Sequence, residues 1–334
     1  MDGLRPKTGP MTPTRTSSTL DLIDLHPGAA DLRRLVRAGL MQQPKQLPAW
    51  LLYDAEGSRL FAEICQQPEY TLTRTEIRLL EQQAETIAAA VGPGVMVEFG
   101  IGNARKVDPL LRALRPSAFI ALDISRSALT DALSGLASSH PDTSMLGVCC
   151  DHSVLAAMPS HPWLDNQRRI GFFPGSSLGN FSPEAAVELL QRFRHLLAGG
   201  PLLLGLDQPR DPRQLEAAYD DAAGISAAFA RNLLHRLNRE LNGTIDVDQF
   251  DYRARWDERE QRIEMALISR IDQSFTLEDQ HWSFQANERL ITEHSVKYTP
   301  AAAADLAARA GWTIRERWHD PADQLSLHLL EPSD

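Results

Sequence analysis

Cysteine is scarce in this chain. Cys65, Cys149 and Cys150 are too few and too unevenly spaced for a zinc cage or a disulfide framework, and no metal-ligating cluster stands out. They suit a reducing, cytoplasmic setting. No apolar run approaches the ~20 residues that a membrane helix requires. Basic charge is in short supply too: 34 Lys and Arg face 44 Asp and Glu, for a net charge of −10. With no dense basic stripe interleaved with aromatics, nucleic acid is a poor candidate partner. Residues 1–19 lack the hydrophobic core of a secretory leader, and their Pro, Gly, Ser and Thr predict a disordered tail. The remaining length, out of 334 residues, suffices for one large domain or two ordinary ones.

The chain is organised around residues 95–106. Val95-Met96-Val97 reads as a short buried strand, Glu98 follows at its end, and Gly100 and Gly102 lead into a helical run through Leu110, Leu111 and Leu114. A strand that ends in Gly-x-Gly and turns into a helix brings backbone N–H groups close to a ligand. In open α/β sheets ligands bind at these carboxyl ends. The third glycine of a dinucleotide fingerprint is missing, because Asn103-Ala104-Arg105 stands in its place. That disfavours a pyrophosphate, and with it an NAD-dependent dehydrogenase. Glu-x-Gly-x-Gly is more similar to the first motif of S-adenosylmethionine-dependent methyltransferases. Taken alone, the turn could also bind nothing.

From Gly94 a βαβ rhythm sets in. Strands are predicted at Val95–Glu98, Ala118–Asp123, Met145–Cys150, Arg169–Phe173 and Leu202–Asp207. Asp123 lies about two dozen residues beyond the glycines, a spacing that suits a carboxylate on ribose hydroxyls. Asp151 could accept from an adenine amino group. Glu98, Asp123, Asp151 and Asp207 together describe a crevice that favours hydroxyls, amines and positive charge over phosphate. Thr73 or Thr75 is expected to cap a long helix through Ile87. Beyond Asp207 the alternation stops. Leu215–Leu241 reads as one long helical region. Alternating stretches at Phe250–Trp256, Arg262–Arg270, Gln280–Phe284 and Glu293–Tyr298 predict antiparallel strands. Pro300–Ala310 is a helix, and Trp312–Trp318 with Ser326–Leu330 make a terminal strand pair.

Six motifs occur in order: Tyr53-Asp54-x-x-Gly57-Ser58; Pro68-Glu69-Tyr70-x-x-Thr73-Arg74-Thr75-Glu76; Phe173-Pro174-Gly175-Ser176-Ser177-Leu178-Gly179-Asn180-Phe181; Ala218-Tyr219-Asp220-Asp221-Ala222-Ala223-Gly224; Arg262-Ile263-Glu264-Met265; and Thr292-Glu293-x-Ser295-x-Lys297-Tyr298. Over roughly residues 30 to 330 the chain resembles the L-histidine Nα-methyltransferase family of ergothioneine biosynthesis. The resemblance implies an α/β fold. It would be a Rossmann-like class I S-adenosylmethionine-dependent methyltransferase with a second, helix-plus-antiparallel-strand substrate domain. The division it suggests is residues 75–207 with 298–334 for the cofactor and residues 20–74 with 208–297 for the substrate.

The resemblance also implies roles. Tyr53, Gly175 and Asn180 would surround the substrate α-amino group, with Asn180 and Tyr53 nearest the chemistry. Asn180 and Tyr219 would hold the α-carboxylate. Tyr70, Glu293 and Ser295 would bind the imidazole, with Met265 lining that pocket. Glu98, Gly100, Gly102, Lys106, Asp123 and Asp151 would serve S-adenosyl-L-methionine. The segment Asn103-Ala104-Arg105 departs from the family's usual Thr/Ser-Ser-Glu before a retained Lys106, which bears on cofactor affinity more than on fold. The expected activity is trimethylation of L-histidine to hercynine by a cytoplasmic monomer that binds neither nucleic acid nor membrane. Two alternatives stand beside it: an N-methyltransferase of another aromatic amino acid such as tryptophan, and a degenerate, non-catalytic paralogue.

Overall fold

The structure, a computed structural model, describes residues 20–25, 29–102, 104–322 and 324–333. The N-terminal tail and Asn103 of the glycine turn lie outside them. In chain order the first elements are β1 (Leu20–Asp24), α1 (Ala29–Leu40), β2 (Lys45–Gln46), α2 (Ala55–Ile64) and α3 (Leu72–Val91). The alternating part follows as β3 (Val95–Phe99), α4 (Asp108–Leu114), β4 (Ala118–Asp123), α5 (Arg126–Ser139), β5 (Ser144–Cys149), β6 (Arg169–Phe173), α6 (Pro183–Leu196) and β7 (Leu202–Asp207). Then come α7 (Pro212–Tyr219), α8 (Ile225–Glu240), β8 (Phe250–Asp257), β9 (Arg262–Ser269), β10 (Gln273–Leu277), β11 (Gln280–Phe284) and β12 (Arg289–Val296). The chain closes with α9 (Pro300–Arg309), β13 (Trp312–His319) and β14 (Leu325–Pro332).

Eight strands form the main sheet in the order β1-β5-β4-β3-β6-β7-β14-β13. Strands β1 and β3 to β7 pair in parallel, while β14 runs antiparallel to both β7 and β13. This is the Rossmann-like class I arrangement expected from the sequence. Strands β3, β4 and β7 are buried along their whole length. A parallel sheet covered on both faces needs such continuous apolar runs, and that is why they were legible. Alternate side chains serve opposite layers. Met96, Phe119 and Phe172 pack with α3, α4 and α5, whereas Val97, Phe99 and Phe173 pack with α6 and α9. The strand order reverses between β3 and β6, which opens the crevice at their carboxyl ends.

A second sheet, β2-β12-β9-β8, and the β10-β11 hairpin share the α3-side core with α8. Strand β12 runs from this sheet toward the first, and Tyr298 N just beyond it donates to Asp207 O at 2.9 Å.

Four local expectations change. Residues 20–24, assigned with the substrate part, extend the main sheet as β1 beside β5. Helix α3 starts earlier, after Thr71, and Thr73 is buried rather than capping. The region 215–241 divides at residues 220–224, because Asp221 accepts from Ile225 N (2.9 Å) and Ser226 N (2.7 Å) and so starts a new helix after Gly224. Strand β10, absent from the sequence reading, pairs with β11 across a tight turn with Glu278 in the left-handed region. Among the described residues no helix is long and apolar enough to cross a membrane.

Candidate active site

Two cavities adjoin at the carboxyl end of the main sheet. The larger, ≈ 1430 Å³, is lined by Gly100, Gly102, Lys106, Asp123 and Asp151. Gly100 (φ 79°) and Gly102 (φ 39°) both adopt the left-handed region. A side chain at Gly102 would meet nothing within 4 Å, so the turn's dihedrals, not crowding, call for glycine there. Asp123 receives Ser125 N at 2.8 Å and Gly102 N at 3.1 Å. Burial pushes its pKa up, and backbone N–H donors pull it back. Its carboxylate has about four lone-pair sites, of which these bonds use two. Asp151 receives Ser153 N (2.9 Å) and Ser153 Oγ (2.6 Å). Next to it His152 sits among Phe99, Phe173 and Phe193, and burial lowers its pKa to about 4, so the ring is neutral.

Glu98 does not reach the cavity wall. It lies on the same face of β3 as Met96, the side toward α3 and α4, where it is 0% exposed with both oxygens unbonded. Burial raises its pKa far above the usual carboxylate range. Asp207 is likewise absent from the crevice, since its carboxylate is held by Lys297 (2.7 Å) and Arg210 (2.6 Å).

The smaller recess, ≈ 60 Å³, opens beside Gly175 and Asn180. Tyr53, Tyr70, Gly175, Asn180, Tyr219, Met265, Glu293 and Ser295 all line it. All eight residues that the sequence assigned to the substrate therefore come together. The loop after β6 makes this possible. Gly175 (φ 78°) and Ser176 (φ 56°) are successive left-handed residues that turn the chain into the one-turn helix Ser177–Asn180. Gly179 then packs on β12, where a Cβ would come within 2.6 Å of Val296 O. The close approach lets Asn180 Nδ2 donate to Glu293 Oε1 at 2.8 Å. Tyr53 follows a one-turn helix at Ala49–Leu52 and packs edge-on against Phe61 and Phe229. Tyr70 and Tyr219 meet edge to face with ring centroids 5.7 Å apart.

Electrostatics separates the polar groups of the recess. Burial pushes the Glu293 carboxyl up to about 8, with Lys297 opposing. Burial, and then the charge of Glu293, pushes the Tyr53 phenol well above its ordinary value, so it stays protonated. Tyr70 is raised in the same direction, again chiefly by burial.

Two buried charges were not among the expected site residues. Glu76, 0% exposed, accepts from Gly175 N at 2.9 Å and ion-pairs with Lys106 at 3.0 Å. It thereby ties Lys106 to the loop after β6, and Gly205 leaves room for its carboxylate. Its signal was an acid four residues before Leu80 on the core-facing stripe of α3. Lys297 donates to Tyr219 Oη at 2.7 Å and Ser295 Oγ at 2.9 Å. Its signal was the two-residue spacing Glu293, Ser295, Lys297, which puts the three on one face of an extended chain.

Similarity to known proteins agrees with this geometry. The family model for histidine-specific, S-adenosylmethionine-dependent methyltransferases matches residues 32–332. The histidine N-alpha-methyltransferase of Mycolicibacterium smegmatis is 38% identical over 321 residues, covering 94% of this chain and 99% of that protein. The histidine N-alpha-methyltransferase of Mycobacterium tuberculosis is 35% identical over 310 residues, covering 90% of this chain and 95% of that protein. The ergothioneine biosynthesis protein 1 of Neurospora crassa is 30% identical over 339 residues, covering 95% of this chain but 37% of that longer protein. The glycine turn and buried acid of the crevice adjoin the polar recess at Asn180 and Glu293, and the chain belongs to the family of histidine-specific, S-adenosylmethionine-dependent methyltransferases.

Proposed function

We propose that the chain methylates the α-amino group of L-histidine three times to give hercynine, the trimethylated betaine of the ergothioneine pathway. The observation that carries this reading is the 2.8 Å bond between Asn180 and Glu293. It joins an amide suited to an amine and a carboxyl suited to a ring N–H in one recess at the mouth of the crevice. Histidine offers one ring N–H donor and one bare ring nitrogen. Glu293 would take the N–H, and Ser295 would serve the other nitrogen, with Tyr70 and Met265 against the ring. Tyr219 and Asn180 would hold the α-carboxylate, and Tyr53 and Gly175 would flank the α-nitrogen. A site of paired hydrogen bonds rejects analogues that leave its buried groups unpaired. An indole has no second polar atom for this pair, which argues against tryptophan.

The crevice fits the cofactor by its donor set. Asp123 has acceptor capacity for two adjacent hydroxyls, Asp151 lies beyond it for an amino group, and Gly100 and Gly102 keep the backbone open. Lys106, already paired with Glu76, would complete the carboxylate end. S-Adenosylmethionine, when bound, supplies an electrophilic methyl group on a sulfonium. The chain's part is positioning, whose upper range in well-oriented model reactions is roughly 7–11 kcal/mol. The Asn180 carbonyl would orient the amine so that its lone pair faces the crevice. Each of the three transfers needs an unprotonated nitrogen, so one proton leaves the substrate ammonium before each, and the Tyr53 hydroxyl or a water would pass it outward. No side chain is required as an obligate base.

The proposal extends to a cytoplasmic monomer, an assignment suited by three free, buried cysteines. It also assigns residues 75–207 with 298–334 to the cofactor and the remainder from residue 25 to 297 to the substrate. The test is mass spectrometry of purified protein incubated with S-adenosylmethionine and a mixture of amino acids. Histidine gaining three methyl groups, with the others untouched, is expected. Methylation of tryptophan instead, or of nothing, would overturn the assignment.

A further inference from the structure

We propose that Lys297 is a positioning residue that fixes the direction of two substrate-facing hydroxyl protons, on Ser295 and Tyr219, so that the recess selects histidine with a neutral ring. The inference rests on the histidine reading above.

The side chain of Lys297 is 0% exposed. An ammonium has three N–H donors and no acceptor. Two hydrogen bonds run from it, to Tyr219 Oη at 2.7 Å and Ser295 Oγ at 2.9 Å, and it ion-pairs with Asp207 Oδ2 at 2.7 Å. Asp207 carries a second pair with Arg210 at 2.6 Å, which holds the carboxylate in place. The cluster draws on β7, α7 and the end of β12, so it spans both sheets. Such a buried charge is costly unless it is paired and hydrogen-bonded, and here the ammonium has a carboxylate counter-charge and two hydroxyl acceptors.

The proton count then constrains the hydroxyls. Tyr219 and Ser295 lie 3.0 Å apart. Lys297 occupies one acceptor site on each oxygen and can accept nothing in return. One hydroxyl proton bridges the two oxygens. The other is left for whatever occupies the recess. A ligand with two acceptors frees both protons: Tyr219 then donates to one and Ser295 to the other, while Lys297 still holds both oxygens. Histidine has these two acceptors in its α-carboxylate and, when the ring is neutral, its bare ring nitrogen. The ring N–H then faces Glu293, whose Oε1 already receives Asn180. A protonated ring would turn N–H toward Ser295, with an ammonium 2.9 Å behind that oxygen. At such separations two like charges repel strongly in a buried site. Arg210 is a second cation, on the far oxygen of Asp207; the other ionisable groups around the cluster, Tyr70 before α3, Tyr252 on β8 and Glu293, carry no positive charge.

Two measurements test this. In the first, histidine labelled with ¹⁵N in its ring is bound to the wild-type protein saturated with S-adenosylhomocysteine. Its ring resonances are recorded at pH ~8 and ~6, a range that spans the ordinary imidazole pKa of about 6.5. One bare and one protonated nitrogen at both values is expected. Two protonated nitrogens in bound histidine overturn the positioning role and leave the histidine reading intact, whereas failure of histidine to bind overturns both. The second measurement is a mutant cycle. Lys297→Met should raise the KM for histidine about 10–100-fold, more than it lowers kcat, with S-adenosylhomocysteine affinity unchanged. In a Ser295→Ala, Tyr219→Phe background the same change should cost no more than about twofold. Full additivity would show Lys297 to be plain structural support and remove the proposal. Should Lys297→Met not fold, the resonance experiment decides.

Discussion

The cofactor crevice and the acceptor recess share a wall but are built by different means. The crevice owes its shape to backbone: two left-handed glycines, and N–H groups of Gly102 and Ser125 that orient Asp123. The recess owes its shape to side chains brought from far apart in sequence, with Asn180 bonded to Glu293 and Tyr219 to Ser295. A turn held by backbone tolerates a change of side chain. A recess held by side-chain pairs has no such latitude, because each deletion leaves a buried partner unsatisfied, at about 1–3 kcal/mol per group.

The comparison breaks most visibly at Asn180, which stands where the two regions meet. Asn180→Ala removes the partner of Glu293 and, with it, the contact proposed for the substrate amine. Turnover is expected to fall by about 100-fold or more, the scale of a misplacement near 1 Å. S-Adenosylmethionine affinity, measured by calorimetry, should stay within about threefold, since the side-chain bond of Asn180 goes to Glu293. Normal histidine binding together with intact turnover would remove Asn180 from the site.

Asp123→Ala probes the other region. Loss of the carboxylate proposed to accept the ribose hydroxyls should weaken S-adenosylmethionine by about 10–100-fold. The histidine KM, taken at saturating cofactor, should hardly move. If both ligands weaken together, the two regions are one cooperative unit and the distinction drawn above fails.

Glu293→Gln gives a smaller effect with a definite sign. The Glu293 carboxyl sits at about 8 in the folded protein against an ordinary 4.5. Between those values the unfolded chain has released the proton and the folded chain keeps it, so wild-type stability falls as pH rises through the window. The glutamine has no such proton. Thermal melts should therefore show the variant gaining on the wild type from pH ~5 to ~8, by no more than roughly 1 kcal/mol per pH unit. Parallel curves for the two proteins would mean that Glu293 is ionised in the fold, and the recess would be wetter than its burial implies.

How far the sequence reached depends on the same contrast. Strands β3 to β7 were legible because burial on both faces forces continuous apolar runs. Strand β10 and the break at residues 220–224 were not, because one is a short hairpin arm and the other depends on a single capping acid, Asp221. An acid at a strand end can face either layer. Glu98 and Asp207 looked like crevice residues by position, yet one is buried beside α3 and the other serves Lys297. The recess has no local signature at all. Its residues come from several elements, and only the order of six motifs united them. Glu76 and Lys297 carried the plainest physical mark, a charge on a buried face, and that mark needs a partner in space before it can be interpreted.

Tyr53→Phe should have the smallest effect of the four, and it decides what kind of chemistry the recess performs. Tyr53 projects into both cavities, so a role as proton acceptor is geometrically open. Its environment opposes that role. Burial and the nearby Glu293 hold the phenol well above its ordinary pKa, so the phenolate that a base would require is disfavoured at neutral pH. What remains is a neutral hydroxyl that can orient the amine or relay a proton through water. Losing one such neutral hydrogen bond costs about 0.5–1.5 kcal/mol, which corresponds to a rate loss of no more than about tenfold. The shape of the pH–rate profile should not change, because the group that titrates would still be the substrate amine. A loss beyond ~10³-fold, or the disappearance of one limb of the profile, would identify Tyr53 as an essential proton acceptor. The recess would then perform acid–base chemistry as well as positioning, and its difference from the backbone-built crevice would be one of mechanism as much as of construction.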